Sequence, residues 1–162
     1  MSAPMGYSRA QIALHWIVAV LIVPQFVLHD GIAAAWDKIE DGIAVGFDPL
    51  VAGHVFGGIA ILALVVWRLA LRARRGAPPP PEAEHPALKL VAKATHGGLY
   101  LLLIVMPVSG LVAWFGGVET AAEAHETMKI ALLALVVLHV AGALYQQFVL
   151  KTNLMERMKR PA

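Results

Sequence analysis

Four long apolar runs, at about residues 8–28, 50–71, 88–114 and 121–148, constrain this chain more than anything else in it. A membrane span takes about 20 mainly apolar residues, and each run meets that length. In hydrocarbon every backbone N–H and C=O must be satisfied within the segment, so runs this long are helices. The chain has 162 residues, 59% hydrophobic and only 15% charged, with a mean hydropathy of +0.68. This is more apolar surface than a soluble core of that size needs. The expectation is an all-α integral membrane four-helix bundle, a single domain over residues 1–162, with the lipid bilayer as its solvent.

A competing reading makes the first run a secretory signal, with Arg9 before it and Ala33-Ala34-Ala35 as a cleavage site. Those alanines lie late, and cleavage would discard His15. Basic residues give the orientation. Arg9 precedes the first run; Arg68, Arg72, Arg74, Arg75, Lys89 and Lys93 flank the central link; Lys151, Arg157, Lys159 and Arg160 follow the last run. By the positive-inside rule both termini and the link are cytoplasmic. The opposite face is acidic, with Asp30, Asp37, Glu40, Asp41, Asp48, Glu119, Glu123 and Glu126 against Lys38 and Lys129. Topology accounts for the basic cluster, so no nucleic-acid partner is expected.

Local signals place the ends. Ser8 is a candidate N-cap, and Asp48-Pro49 reads as a cap with proline at the first helical position. Pro24 and Pro107 interrupt the first and third runs. Residues 29–47 form an outer loop, part of it a short interfacial helix carrying Trp36. The link 76–87 is proline-rich and extended.

Five histidines lie in the apolar runs: His15, His54, His96, His125 and His139. An ionisable residue in the membrane points to a functional site. At a helical rise of 1.5 Å per residue, His15 lies about 10 Å inside its helix. His125 and His139 are about 21 Å apart along one helix and, nearly four turns apart, face the same way. The histidines sort into an outer layer, His54 and His125, and a cytoplasmic layer, His15, His96 and His139.

Facing histidines on different helices of a bundle form a cofactor site, and two layers suggest two bis-histidine haems with one histidine over. Singly, each histidine also reads as a hydrogen-bonded packing residue or proton relay. Zinc fits less well, since no HExxH spacing is present. With no cysteine in the chain, disulfides and covalent haem attachment are excluded. Gly53, Gly57 and Gly58 beside His54, Gly97 and Gly98 beside His96, and Gly142 beyond His139 would let a porphyrin approach the backbone. They would equally allow close helix packing.

An ordered set of motifs completes the reading. Tyr7-Ser8-Arg9, Gln11 and Leu14-His15-Trp16 are followed by Gly53-His54, Trp67-Arg68-Leu69 and Thr95-His96-Gly97-Gly98-Leu99-Tyr100. Then come Met106-Pro107-Val108-Ser109-Gly110, His125-Glu126-Thr127 and Leu138-His139. Over essentially its whole length the chain resembles the bacterial cytochrome b561 family. The resemblance implies a multi-pass protein of the bacterial inner membrane with two non-covalent b-type haems. His54 and His125 would bind the iron of the periplasmic one, His15 and His139 that of the cytoplasmic one. His96 would be a hydrogen-bond or proton partner for ubiquinone, the alternative being that it is itself a ligand. Arg9, Arg68 and Arg72 become candidate haem-propionate contacts, against simple surface anchoring, and Gly57, Gly58 and Gly97 candidates for porphyrin clearance.

The implied activity is electron transfer between a periplasmic donor and ubiquinone, with superoxide oxidation its sharpest form. Superoxide is an anion, steered by positive potential, whereas the outer face is acidic. Lys129, one turn past His125, could attract it locally. An acidic face suits a cationic redox protein instead, so a carrier without its own small-molecule substrate is the second reading.

Overall fold

A computed structural model describes residues 4–81 and 84–162 of the chain. It holds five α-helices: α1 (Arg9–Val27), α2 (His29–Glu40), α3 (Pro49–Arg75), α4 (Pro86–Gly116) and α5 (Glu119–Phe148), followed by a 3-10 turn, Leu154–Met158. No strand is present among the described residues. α1, α3, α4 and α5 are long and apolar enough to cross a membrane, and together they form a membrane helical bundle.

The helix ends follow the local chemistry. Ser8 and Gln11 close a reciprocal capping box, side chain to backbone in both directions. Asp48 Oδ1 accepts from the Leu50 amide at 2.7 Å, and Pro49 takes the first turn, where its missing N–H costs nothing. α3 ends in Arg72, Arg74 and Arg75, cations that suit the negative end of the helix dipole. α4 ends at Gly117 with φ +65°, a left-handed cap that favours glycine.

Two expectations are adjusted. The outer loop 29–47 is helical over most of its length: α2 begins directly after Leu28 and packs on α3. The link is extended over 76–81, but α4 already starts at Pro86, again a proline in a first turn; residues 82–83 of the link lie outside the described residues.

α4 packs most extensively on α5, α1 on α3, and α3 on α4. The compact part of the core is small: Val18, Ile61 and Val65, ringed by residues of α1, α3 and α4 that include Leu21, Leu64 and Leu103. Large apolar side chains such as Phe56, Val66 and Val137 point outward, as a lipid-facing surface requires. α5 buries only Leu132.

Both termini and the link gather at one end of the bundle. There Trp16 donates from Nε1 to Met158 O at 2.7 Å, Arg157 donates to Pro79 O at 2.7 Å, and the Ala162 amide donates to Tyr7 O at 3.3 Å. The buried Glu84 carboxylate accepts from the Gln146 amide, joining link to α5. This is the basic end; α2 and the α4–α5 turn form the acidic end.

Candidate functional site

The histidines meet in pairs across helices that are not extensively packed on one another. His15 on α1 faces His139 on α5 with ring centroids 6.0 Å apart and planes at 71°. His54 on α3 faces His125, also on α5, at 6.2 Å and 67°. Neither α1 nor α3 is extensively packed on α5, so the imidazoles span gaps. Two imidazoles bound to opposite sides of one metal ion, with bonds of about 2.0–2.1 Å, have ring centroids about 6 Å apart. Both pairs meet that spacing, and the donor set fits a metal with two axial imidazoles. His96 meets His139 at 5.0 Å, a closer edge contact. Among the described residues no group of three or more His, Cys, Asp or Glu is arranged to hold a metal ion.

The ring orientations are set by backbone oxygens. His125 Nδ1 lies 2.8 Å from Met106 O and 3.4 Å from Ser109 Oγ. His96 Nδ1 lies 2.6 Å from Ala92 O, in the preceding turn of its own helix. An imidazole that donates from Nδ1 to a carbonyl presents Nε2 as an acceptor, the arrangement metal-binding histidines generally use. His54 Nδ1 is buried without a partner, an unusual state for a polar atom.

A cavity of about 520 Å³ opens beside the His54–His125 pair, a volume typical of ligand sites, about 300–1,000 Å³. Ile22, Leu103, Met106 and Trp114 line it, and Asp37, Glu40, Glu119, Glu123 and Glu126 bring carboxylates to it. Its surface is apolar with acids at one end, a form suited to a flat apolar group with polar edges.

The glycines divide. Gly58 lines the cavity. A Cβ at Gly97 would meet nothing within 4 Å, so space lies open beside it, whereas one at Gly57 would collide with the Gln25 amide. Gly57 therefore makes room for a side chain. A residue to which the sequence reading gave no role, Gly110, seats His125: a Cβ there would lie 3.0 Å from its Cε1.

The arginines lie at the basic end. Arg68 donates from Nε to Tyr100 Oη at 2.9 Å and from Nη1 to Gln11 O at 2.7 Å. Gln11, itself buried, donates to Gly76 O at 3.1 Å. Arg68 thus ties α1, α3 and α4 together. Arg72 lines a small crevice with Tyr7, Gln11 and Tyr100, and Arg9 is exposed.

Lys129 is not a free cation at the acidic end. Its ammonium is bonded to Glu126 and lies 2.8 Å from His29 Nε2. His29 was missed from the sequence because it sits outside the apolar runs; α2 folds back and brings it to the cavity.

The model of the family described as prokaryotic cytochrome b561 matches residues 6–161. Cytochrome b562 of Cereibacter sphaeroides is 35% identical over 164 residues, covering 99% of each chain. The probable superoxide oxidase CybB of Yersinia pestis is 30% identical over 179 residues, 94% of each chain. Cytochrome b561 homolog 2 of Escherichia coli K12 is 26% identical over 179 residues, 97% of this chain and 93% of that one.

Proposed function

The chain belongs to the prokaryotic cytochrome b561 family of haem b-binding membrane electron-transfer proteins, and from that premise we propose that it carries two haems and passes electrons between a periplasmic donor and ubiquinone. The observation that carries the reading is the pair of histidine gaps, 6.0 and 6.2 Å, each between helices that are not extensively packed on one another. His54 and His125 would hold one haem, His15 and His139 the other. The basic end, with both termini, faces the cytoplasm of a bacterial inner membrane by the positive-inside rule.

Haem b held by these histidines would supply one-electron transfer, tuned by ligands, hydrogen bonds and burial. The chain's part is orientation and exclusion. Met106 O keeps the proton of His125 on Nδ1 and its Nε2 free. Gly110 leaves the ring its seat. Ala92 O does the same for His96, whose Nε2 is then free to hold a proton or accept a hydrogen bond at a quinone oxygen. Its ring lies 5.0 Å from that of His139, so a quinone bound at His96 would sit beside the His15–His139 pair. Arg68 holds the α1–α3–α4 end rigid around that site, while Arg9 and Arg72 are left for haem carboxylates. Gly58 and Gly97 leave clearance for the porphyrin.

In its sharpest form the donor is superoxide, the substrate named for the Yersinia pestis relative. A second reading rests on a specific observation: carboxylates line the cavity, and Lys129 is already bonded to Glu126. That electrostatics favours a cationic redox protein as donor and a carrier role for this chain.

A pyridine haemochrome assay tests the common core: two b-type haems per chain are expected, and a colourless, haem-free preparation removes both readings. Rapid mixing with superoxide separates them. Haem reduction that outruns spontaneous dismutation supports an oxidase; its absence leaves the carrier.

A further inference from the structure

Beside the His54–His125 pair lies a polar cluster that axial ligation does not use. Lys129 follows His125 by four residues, one helical turn along the same face of α5. Its Nζ donates to His29 Nε2 at 2.8 Å and to Glu126, while His29 Nε2 lies 3.6 Å from Glu126 Oε2. All three line the 520 Å³ cavity, and Lys129 is the one Lys or Arg among its described lining residues. The Trp36 indole N–H, another donor there, is taken by Glu40 at 2.7 Å.

The members differ in freedom. The Lys129 and His29 side chains are 24% and 26% exposed, and that of Glu126 is 53% exposed. A half-buried ammonium at membrane depth needs an anion. Glu126 supplies one, but it is the partner able to turn out to water. A b-type haem carries two propionate carboxylates, which need cationic or N–H partners where water is scarce. The acidic surroundings narrow the choice of cation to Lys129.

We propose that Lys129 anchors a propionate of the haem held by His54 and His125, the propionate taking the place of Glu126 on its ammonium while His29 Nε2 keeps that ammonium in position. The assignment rests on the reading that this pair holds a haem. It makes Lys129 part of cofactor retention rather than a landing point for an anionic donor. It also makes α2, through His29, a clasp over the cavity, since His29 Nε2 accepts from the same ammonium on α5.

The test uses the purified full-length protein, with haem content and redox titration as readouts. Lys129→Met is expected to lose haem from the His54–His125 site or to lower the midpoint potential of the haem that remains, because a positive charge beside it is gone. The other haem's potential stays in place, which also reports that the bundle has folded. Lys129→Arg restores occupancy and potential. Glu126→Gln retains the haem, because only a competing carboxylate has been removed. Unchanged haem content and potential in Lys129→Met overturn the anchor, as does haem loss in Glu126→Gln equal to that in Lys129→Met, which would mark the ion pair as structural. His125→Ala separates this failure from that of the underlying reading: if it costs no haem, the ligand pairing is wrong; if it costs one while Lys129→Met is silent, only the anchor falls.

Discussion

His125 Nδ1 donates a hydrogen bond to the backbone oxygen of Met106, 2.8 Å away on the neighbouring helix. The contact crosses the α4–α5 interface, the most extensive in the bundle. An imidazole held this way has its tautomer and its plane fixed before any metal arrives, so less ordering remains to oppose ligation.

Removing that imidazole should be selective. His125→Ala should bring haem content from two per chain to one, with the remaining spectrum that of the His15–His139 site. Gly110→Ala is the gentler version. Its new methyl would stand 3.0 Å from His125 Cε1, so the ring must shift by tenths of an ångström. Haem affinity at that site should fall about 10-fold, the lower end of what disturbing a ligand's supporting shell costs. Competition with apomyoglobin for haem measures it.

His96→Ala should leave both haems in place and slow electron exchange with ubiquinone by about 100-fold, the usual contribution of a positioned proton donor. Stopped-flow reoxidation by a soluble quinone reads this directly. Loss of a haem instead would make His96 a ligand and break the pairing with His139.

Arg68→Gln should destabilise the bundle without emptying it. It removes two hydrogen bonds from a charged donor, to Tyr100 Oη and Gln11 O, each worth about 1.5–3 kcal/mol. Thermal unfolding in detergent should come at a clearly lower temperature. Tyr100→Phe, which deletes one of the two, should produce a smaller shift.

Salt reports the donor's charge. Carboxylates at the cavity repel an anion and attract a cation, and both effects fade as the Debye length contracts. Reduction by superoxide should accelerate with added salt, whereas reduction by a cationic redox protein should slow. Stopped-flow rates across an ionic-strength series distinguish the two.

Much of this was legible before the fold was known. The spans could be read because hydrocarbon admits no other solution for runs of that length, and the ends because Ser8 and Asp48 act through contacts two or three residues away. His125 and His139 could be placed on one face because fourteen residues nearly close four turns. What stayed hidden depended on distant pieces of chain. Lys129 looked like a free cation because its partner His29 is 100 residues away. Arg68 looked like a surface anchor because Tyr100 and Gln11 come to it from two other helices. Gly110 had no meaning until α5 laid His125 against it.

The spare burial of α5 has a consequence for how the protein persists in the cell. This helix buries only Leu132, and both of its histidines reach toward helices on which it is not extensively packed. The porphyrins would act as struts as much as wires. A chain made while haem is scarce would hold its last helix mainly by α4 and a few polar contacts, open to membrane proteases. Cofactor supply, more than synthesis, would then set how much of it survives.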